Sequence, residues 1–209
     1  GMANTILKRG TFKRLRILLT VFRKNGQYDL WLFWSTIVPG FYVFTRFCLF
    51  LDTLFFPSLK TMQIEKPVFI MGHPRSGTSF FQKQIFRSGR VASFTTWEIM
   101  FPSLLQRKIL SPLVSLLRVF GLDVVQDADQ GHEIRVAGIE EDEALFLHRL
   151  DTEMVTTICP WLLIDENYRD SAFTLGWNDK FQTRRSLRFY HECLKRHIYH
   201  TKKKQIVSK

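Results

Sequence analysis

Cysteine is scarce and poorly placed for covalent bracing. Cys48, Cys159 and Cys193 are odd in number and widely spaced, which excludes a disulfide framework and a CxxC metal pair, and leaves the compartment unread. His, Asp and Glu do not group as metal ligands, so no metal is expected. Acidic residues are also few, 19 Asp and Glu against 30 Lys and Arg, a net charge of +11 before histidine. What the chain does have is apolar mass. With 45% hydrophobic and 14% aromatic residues, 20 of them Phe, disorder and collagen-like repeats are excluded. Its 209 residues suit one domain, or one domain with an appendage.

The basic excess lies mostly at the N-terminus. Residues 1–66 carry ten basic and three acidic side chains, a net +7, and residues 67–209 carry twenty and sixteen, a net +4. Lys8, Arg9, Lys13, Arg14, Arg16, Arg23 and Lys24 surround a short apolar run and precede a longer aromatic-rich one. A cationic segment beside an apolar one suits an anionic membrane surface. Nucleic-acid binding is not expected, because the aromatics are contiguous rather than interleaved with the cations as stacking platforms. Residues 30–45 run sixteen positions without a charge before Arg46. As a helix they would reach roughly 24 Å, short of a hydrocarbon core of roughly 30 Å. Pro39-Gly40 in the middle predicts a break into two shorter helices, about 30–38 and 41–56. The expectation is therefore a hairpin lying at the membrane interface, with Trp31, Trp34 and Tyr42 at headgroup level. A soluble hairpin packed on the main domain is the alternative. A cleavable signal peptide is excluded by the late start and the missing small-residue site.

Beyond Pro67, residues 68–71 form a short uncharged run that reads as a buried parallel strand. Gly72-His73-Pro74-Arg75-Ser76-Gly77-Thr78-Ser79 follows, and then apolar residues at 80, 81, 85 and 86 at the spacing of a helix with one buried face. Strand, glycine loop and helix together build an anion cradle. Gly72 and Gly77 permit the torsions that turn amide N–H groups inward, and the helix aims its free N–H groups at the same place. The spacing matches the Walker A pattern at both glycines and the last hydroxyl, but Thr78 stands where the lysine would be. Without that lysine a nucleoside triphosphate lacks its countercharge. The cation lies instead within the loop, at Arg75, where it could hold a tetrahedral group on a shorter diphosphate-like chain.

GHPRSGTSF after a strand resembles the 5′-phosphosulfate loop of sulfotransferases that use 3′-phosphoadenosine 5′-phosphosulfate (PAPS), in the branch with PRSGT. The order of the apolar N-terminal region, PVFIMGHPRSGTS, FTTWEIMFPS and a later acidic stretch is similar to that of membrane-associated and bacterial members. The resemblance implies a P-loop NTPase-like α/β three-layer sandwich with a parallel sheet over residues 67–209, preceded by the helical segment 1–66. It implies PAPS as co-substrate, and sulfuryl transfer without a metal to a hydroxyl or amine acceptor: a carbohydrate, lipid, small molecule or tyrosine. Arg75 would contact the donor's 5′ end and the leaving oxygen. Gly72, Ser76, Gly77, Thr78 and Ser79 would hold the 5′-phosphate.

An acceptor hydroxyl also needs a general base. Glu98, 23 residues after Arg75, is the first candidate, because one helix and one loop bring the chain back to the carboxyl ends of the strands. It resembles the base glutamate of tyrosylprotein sulfotransferases; a cap on a helix starting near Phe101 is its alternative role. His132 and Glu143 are further candidates, while Glu140 and Asp142 suit the first turn of an amphipathic helix. His73, before a proline, is held extended and can point away. Trp97, Phe101, Trp161, Tyr168 and Trp177 could line an acceptor site or the core. Residues 181–199 read as a helix with 187, 190, 194 and 198 on one face, and 205–209 as the opening of a second parallel strand. Related enzymes continue into an Arg and a Ser for the donor's 3′-phosphate, so this chain reads as the N-terminal part of such an enzyme with an incomplete sheet. A non-catalytic membrane-bound nucleotide-binding module and a P-loop kinase are the other function classes.

Overall fold

The computed structural model describes residues 10–72, 77–122, 124–126, 134–136, 138, 141–164 and 180–209. It is mostly helical, with a small parallel sheet and a long apolar helix near the N-terminus. The chain divides into two compact units: residues 1–44 with 143–190, and residues 45–142 with 191–209. Residue 66, where the composition changes, lies inside the second.

In the first unit, α1 (Thr11–Lys24) places Ile17, Leu18, Val21 and Phe22 at helical spacing, and all four are buried. They pack with Trp34, Leu150, Val155, Cys159 and Leu162 in one apolar cluster. Beside it Arg14 pairs with Asp151 at 2.8 Å. Asp151 also accepts from the Ser186 hydroxyl, which in turn accepts from Arg149 Nε.

The helix expected to break does not. A single helix, α2 (Tyr28–Phe55), runs 28 residues straight through Pro39 and Gly40. Proline removes one backbone donor, but ending the helix there would strip several N–H and C=O groups of partners in an apolar segment with no capping residue. Its length and composition suffice to cross a membrane. Every exposed position between 32 and 55 is uncharged, including Leu32, Phe33, Ile37, Phe44, Phe47 and Phe50, and all lie within a sector of about 140° at 100° per residue.

In the second unit the sheet has the order β1 (Val68–Phe69), β5 (Gln205–Ser208), β2 (Val91–Ala92), all parallel. Val68 pairs with Val207 and Val91 with Gln205. The strand anticipated at 205 is thus present and lies between the other two. Strand β1 is parallel as expected but not buried: Val68 and Phe69 are 37% and 54% exposed, because among the described residues it forms one edge. The following helix, α3 (Thr78–Arg87), likewise leaves Phe80 and Phe81 exposed, whereas the spacing predicted a buried face. A five-residue helix, α4 (Thr96–Met100), precedes α5 (Leu104–Val119), so the helix expected near 101 begins at Leu104. Strands β3 (Val124–Gln126) and β4 (Ile134–Arg135) form a separate antiparallel pair. A 3-10 helix, Asp142–Arg149, replaces the amphipathic α-helix expected there. After α6 (Val155–Ile158), α7 (Lys180–Thr201) covers the expected 181–199; Leu194 and Ile198 are buried as expected, together with Ser186, Phe189, Cys193 and His197, whereas Leu187 is exposed.

Candidate functional site

Parallel strands put all their carboxyl ends on one edge, where open α/β sheets bind ligands. Three segments leave that edge in the second unit. After β1 the Ile70 N–H donates to the Ser208 carbonyl at 2.8 Å, and the glycine loop follows. His73, Pro74, Arg75 and Ser76 lie outside the described residues. The loop closes at Gly77, the N-cap of α3, with φ +82° and ψ +7°, a left-handed conformation that disfavours any residue with a Cβ. Nothing lies within 4 Å of a Cβ built there, so the torsion rather than space calls for glycine. Gly72 is exposed and Thr78 half-buried; of the Ser79 side chain nothing is described.

After β5 the chain is held by Asp142, a buried carboxylate whose Oδ1 accepts from Ser208 Oγ at 3.1 Å and from the Lys209 N–H at 2.9 Å. Glu141 pairs with Lys209 Nζ.

After β2, Ser93 Oγ donates to the Val207 carbonyl at 3.1 Å, and Thr95 opens α4. The Thr96 and Trp97 N–H groups donate to the carbonyls of Gly138 and Val136, each at 3.0 Å, so this short helix has spent its first donors on protein. Glu98 is its third residue and is only 6% exposed. Its Oε2 accepts from Thr95 N–H at 3.0 Å and from Thr95 Oγ1 at 2.6 Å, the geometry of a cap. The capped helix is α4, starting at Thr96, rather than one near Phe101. The other oxygen, Oε1, faces two rings: His197 Nδ1 and His200 Nε2 each lie 3.7 Å away. Burial by itself would raise the Glu98 carboxyl, but His197 when protonated, Arg107 and the two bonds from Thr95 outweigh it and hold it below the ordinary carboxylate value.

Sequence reasoning did not single out Arg107, His197 or His200. Arg107 is fully buried and donates to the carbonyls of Phe101 (3.0 Å) and Glu98 (2.9 Å) and to His197 Nδ1 (3.2 Å). A guanidinium only donates, so His197 Nδ1 accepts and the ring is neutral. His197 also stacks on Phe94, centroids 4.0 Å apart. Burial, opposed by Glu98 and reinforced by Arg107, takes its pKa down to about 3. His200 is half-exposed, set edge-on to Trp97, and is lowered more mildly by burial and Arg107. It is the solvent-facing member of the cluster. These three sit in runs rich in Lys, Arg and His, with no local signal of which cation turns inward.

The remaining candidates scatter. Glu143 belongs to the first unit, where its Oε1 accepts from Thr152 Oγ1 at 2.6 Å. His132, Glu140, Tyr168 and Trp177 lie outside the described residues. Trp97 is buried, and Trp161 packs edge-on to Phe22. The three thiols are free and buried; burial pushes Cys193 up to about 12 and Cys159 to about 11, which leaves both unreactive. A cleft of about 470 Å³ lined by Met62, Glu65, Tyr199 and Lys202 to Lys204 opens near the amino ends of β1 and β5, away from the loop edge.

No family model, curated protein or solved structure matches this chain.

Proposed function

We propose that the chain forms the donor-binding part of a membrane-associated, PAPS-dependent sulfotransferase, which moves a sulfuryl group to a hydroxyl or amine acceptor. One observation carries this reading. The GHPRSGTS segment lies between the carboxyl end of a parallel strand and the start of a helix, with Gly77 in the left-handed conformation a phosphate loop uses. The insertion of β5 between β1 and β2 also supports a P-loop type of three-layer α/β domain, with crossovers that return through helices.

In this reading Gly72, Ser76, Gly77, Thr78 and Ser79 hold the 5′-phosphate and Arg75 neutralises the charge that develops on the bridging oxygen as the sulfur–oxygen bond breaks. The displacement is in line, so the acceptor oxygen approaches from the far side of the sulfuryl group and loses its proton to a base on the same edge. Glu98 is the proposed base. Its Oε2 is occupied by Thr95, so the proton arrives from the side of Oε1, where half-exposed His200 is the group that meets solvent. The exposed, charge-free sector of α2 and the basic residues of 1–66 support association with an anionic bilayer.

Thermal melting with ligand separates this from kinase chemistry. A ligand that binds only the folded state raises the melting temperature. The donor product 3′-phosphoadenosine 5′-phosphate should raise it and ATP with magnesium should not; the reverse would replace sulfuryl by phosphoryl transfer.

A further inference from the structure

The cleft at the amino ends of β1 and β5 takes no part in donor binding as proposed, and its walls come from the second unit alone. Two turns shape it. Lys202 follows α7 with φ at +56°, and its N–H donates to the Ile198 carbonyl at 2.9 Å. Lys66 precedes β1 with φ at +47°, and its carbonyl accepts from Gln205 Nε2 at 3.1 Å. Both hold the left-handed conformation that favours glycine, so neither lysine is there for the sake of the backbone.

The cleft joins two kinds of surface. Met62, Ile198 and the ring of Tyr199 give it an apolar wall, and Lys202, Lys203 and Lys204 bring three ammonium groups against the single carboxylate of Glu65, a net +2. The carboxyl end of α7 favours a cation, but that effect is confined to the last turn and does not account for three. Lys203 Nζ is tied to the Gly89 carbonyl. Among the described residues the side chains of Lys202, Lys204 and Glu65 have no hydrogen-bond or ion-pair partner, so two ammonium groups are left for an anion from outside. A phosphate monoester, with a charge of about −1.5 to −2 at neutral pH, matches the net charge. Phosphate alone would leave the apolar wall in water, and a volume of about 470 Å³ admits a larger molecule. A hydrocarbon chain covers that wall while its head meets the lysines, whose methylene stems extend the apolar surface. Position indicates a source. Tyr199 also meets Phe56 edge-on, centroids 5.5 Å apart, and Phe56 directly follows α2, whose last exposed positions are Leu54 and Phe55. We propose that this cleft binds a phosphate-headed lipid, with the head at Lys202 and Lys204 and the chain along Met62, Ile198 and Tyr199. The site stands on its own residues; only the bilayer as the source of the lipid rests on the membrane reading.

Octyl phosphate is the probe, with octyl glucoside as the same chain on an uncharged head and inorganic phosphate as the head without a chain. Each is titrated calorimetrically into the full chain in mild non-ionic detergent. Octyl phosphate should bind about tenfold more tightly than either control. Combining Lys202→Gln with Lys204→Gln should weaken it about tenfold at an unchanged melting temperature, since both side chains are exposed. Glu65→Gln should tighten it about threefold, a gain that misfolding does not produce. Equal binding of either control, or unchanged binding to the double variant, would overturn the proposal. Displacement of octyl phosphate by 3′-phosphoadenosine 5′-phosphate would also overturn it, by assigning the lysines to the donor. The donor product should bind the double variant as it binds the unaltered chain, so the loss of one site is told apart from the loss of the other. Flotation with phosphatidylcholine vesicles, with or without phosphatidic acid, identifies the source. A preference for phosphatidic acid that the double variant loses assigns the lipid to the bilayer, and octyl phosphate binding without that preference assigns it to a free amphiphile.

Discussion

Two sides of the second unit are built on opposite principles. Where Asp52 on α2 meets α5 and α7, charges are buried and hydrogen-bonded: Asp52 is completely enclosed and meets Arg196 Nε at 2.9 Å, two backbone N–H groups and a serine hydroxyl. Arg196 also donates to Leu49 O and to Glu192, and Arg107 to two carbonyls and a ring nitrogen. On the loop side β1 and α3 leave Phe69, Phe80 and Phe81 exposed, and the conspicuous requirement is one torsion at Gly77. Helices α2, α5 and α7 are tied together by buried hydrogen bonds and an ion pair, and the loop edge is left open.

The largest effect should come from breaking the locked side. Asp52→Ala strands Arg196 and the start of α5, and denaturant unfolding should show a loss of about 3–5 kcal/mol. Next is a pH effect. His197 titrates near 3 when folded and near about 6.5 when unfolded, so between those values the unfolded chain takes the proton. Stability is therefore full above pH 6.5 and falls as the pH drops toward 3. His197→Gln, which keeps an acceptor for Arg107, should flatten that slope. Retention of the slope in the variant would show that another group sets it. On the open side, Gly77→Ala should cost about 1–2 kcal/mol from its torsion and weaken donor binding. Smallest is Glu98→Gln, which can still cap α4 and should cost less than about 1 kcal/mol while sulfuryl transfer is lost. A variant that transfers normally would reduce Glu98 to its capping role.

The parts legible in the sequence were those governed by local rules. Spacing marked α7, and two short runs marked β1 and β5, the first of them leading into the glycine loop. What escaped depends on distant partners. Asp52 and Arg196 are 144 residues apart, and nothing near either announces the pair. Pro39 looked like a break because the local rule counts one lost hydrogen bond and not the many that stopping would strand. Strand β2 has only two residues, too short for any period to show, and its place beside β5 sets where Glu98 falls. The burial of Arg107 reverses the usual reading of a helix cation as solvated.

The central claim is that Arg75 and the glycine loop bind the donor while the cluster behind Glu98 supports the fold. Calorimetric titration of 3′-phosphoadenosine 5′-phosphate into the unaltered chain, Arg75→Ala and Glu98→Gln in mild detergent tests it directly. Binding to the unaltered chain and Glu98→Gln, lost in Arg75→Ala at an unchanged melting temperature, is the expected result. Equal binding to Arg75→Ala, or heat released with ATP and magnesium instead, would contradict it.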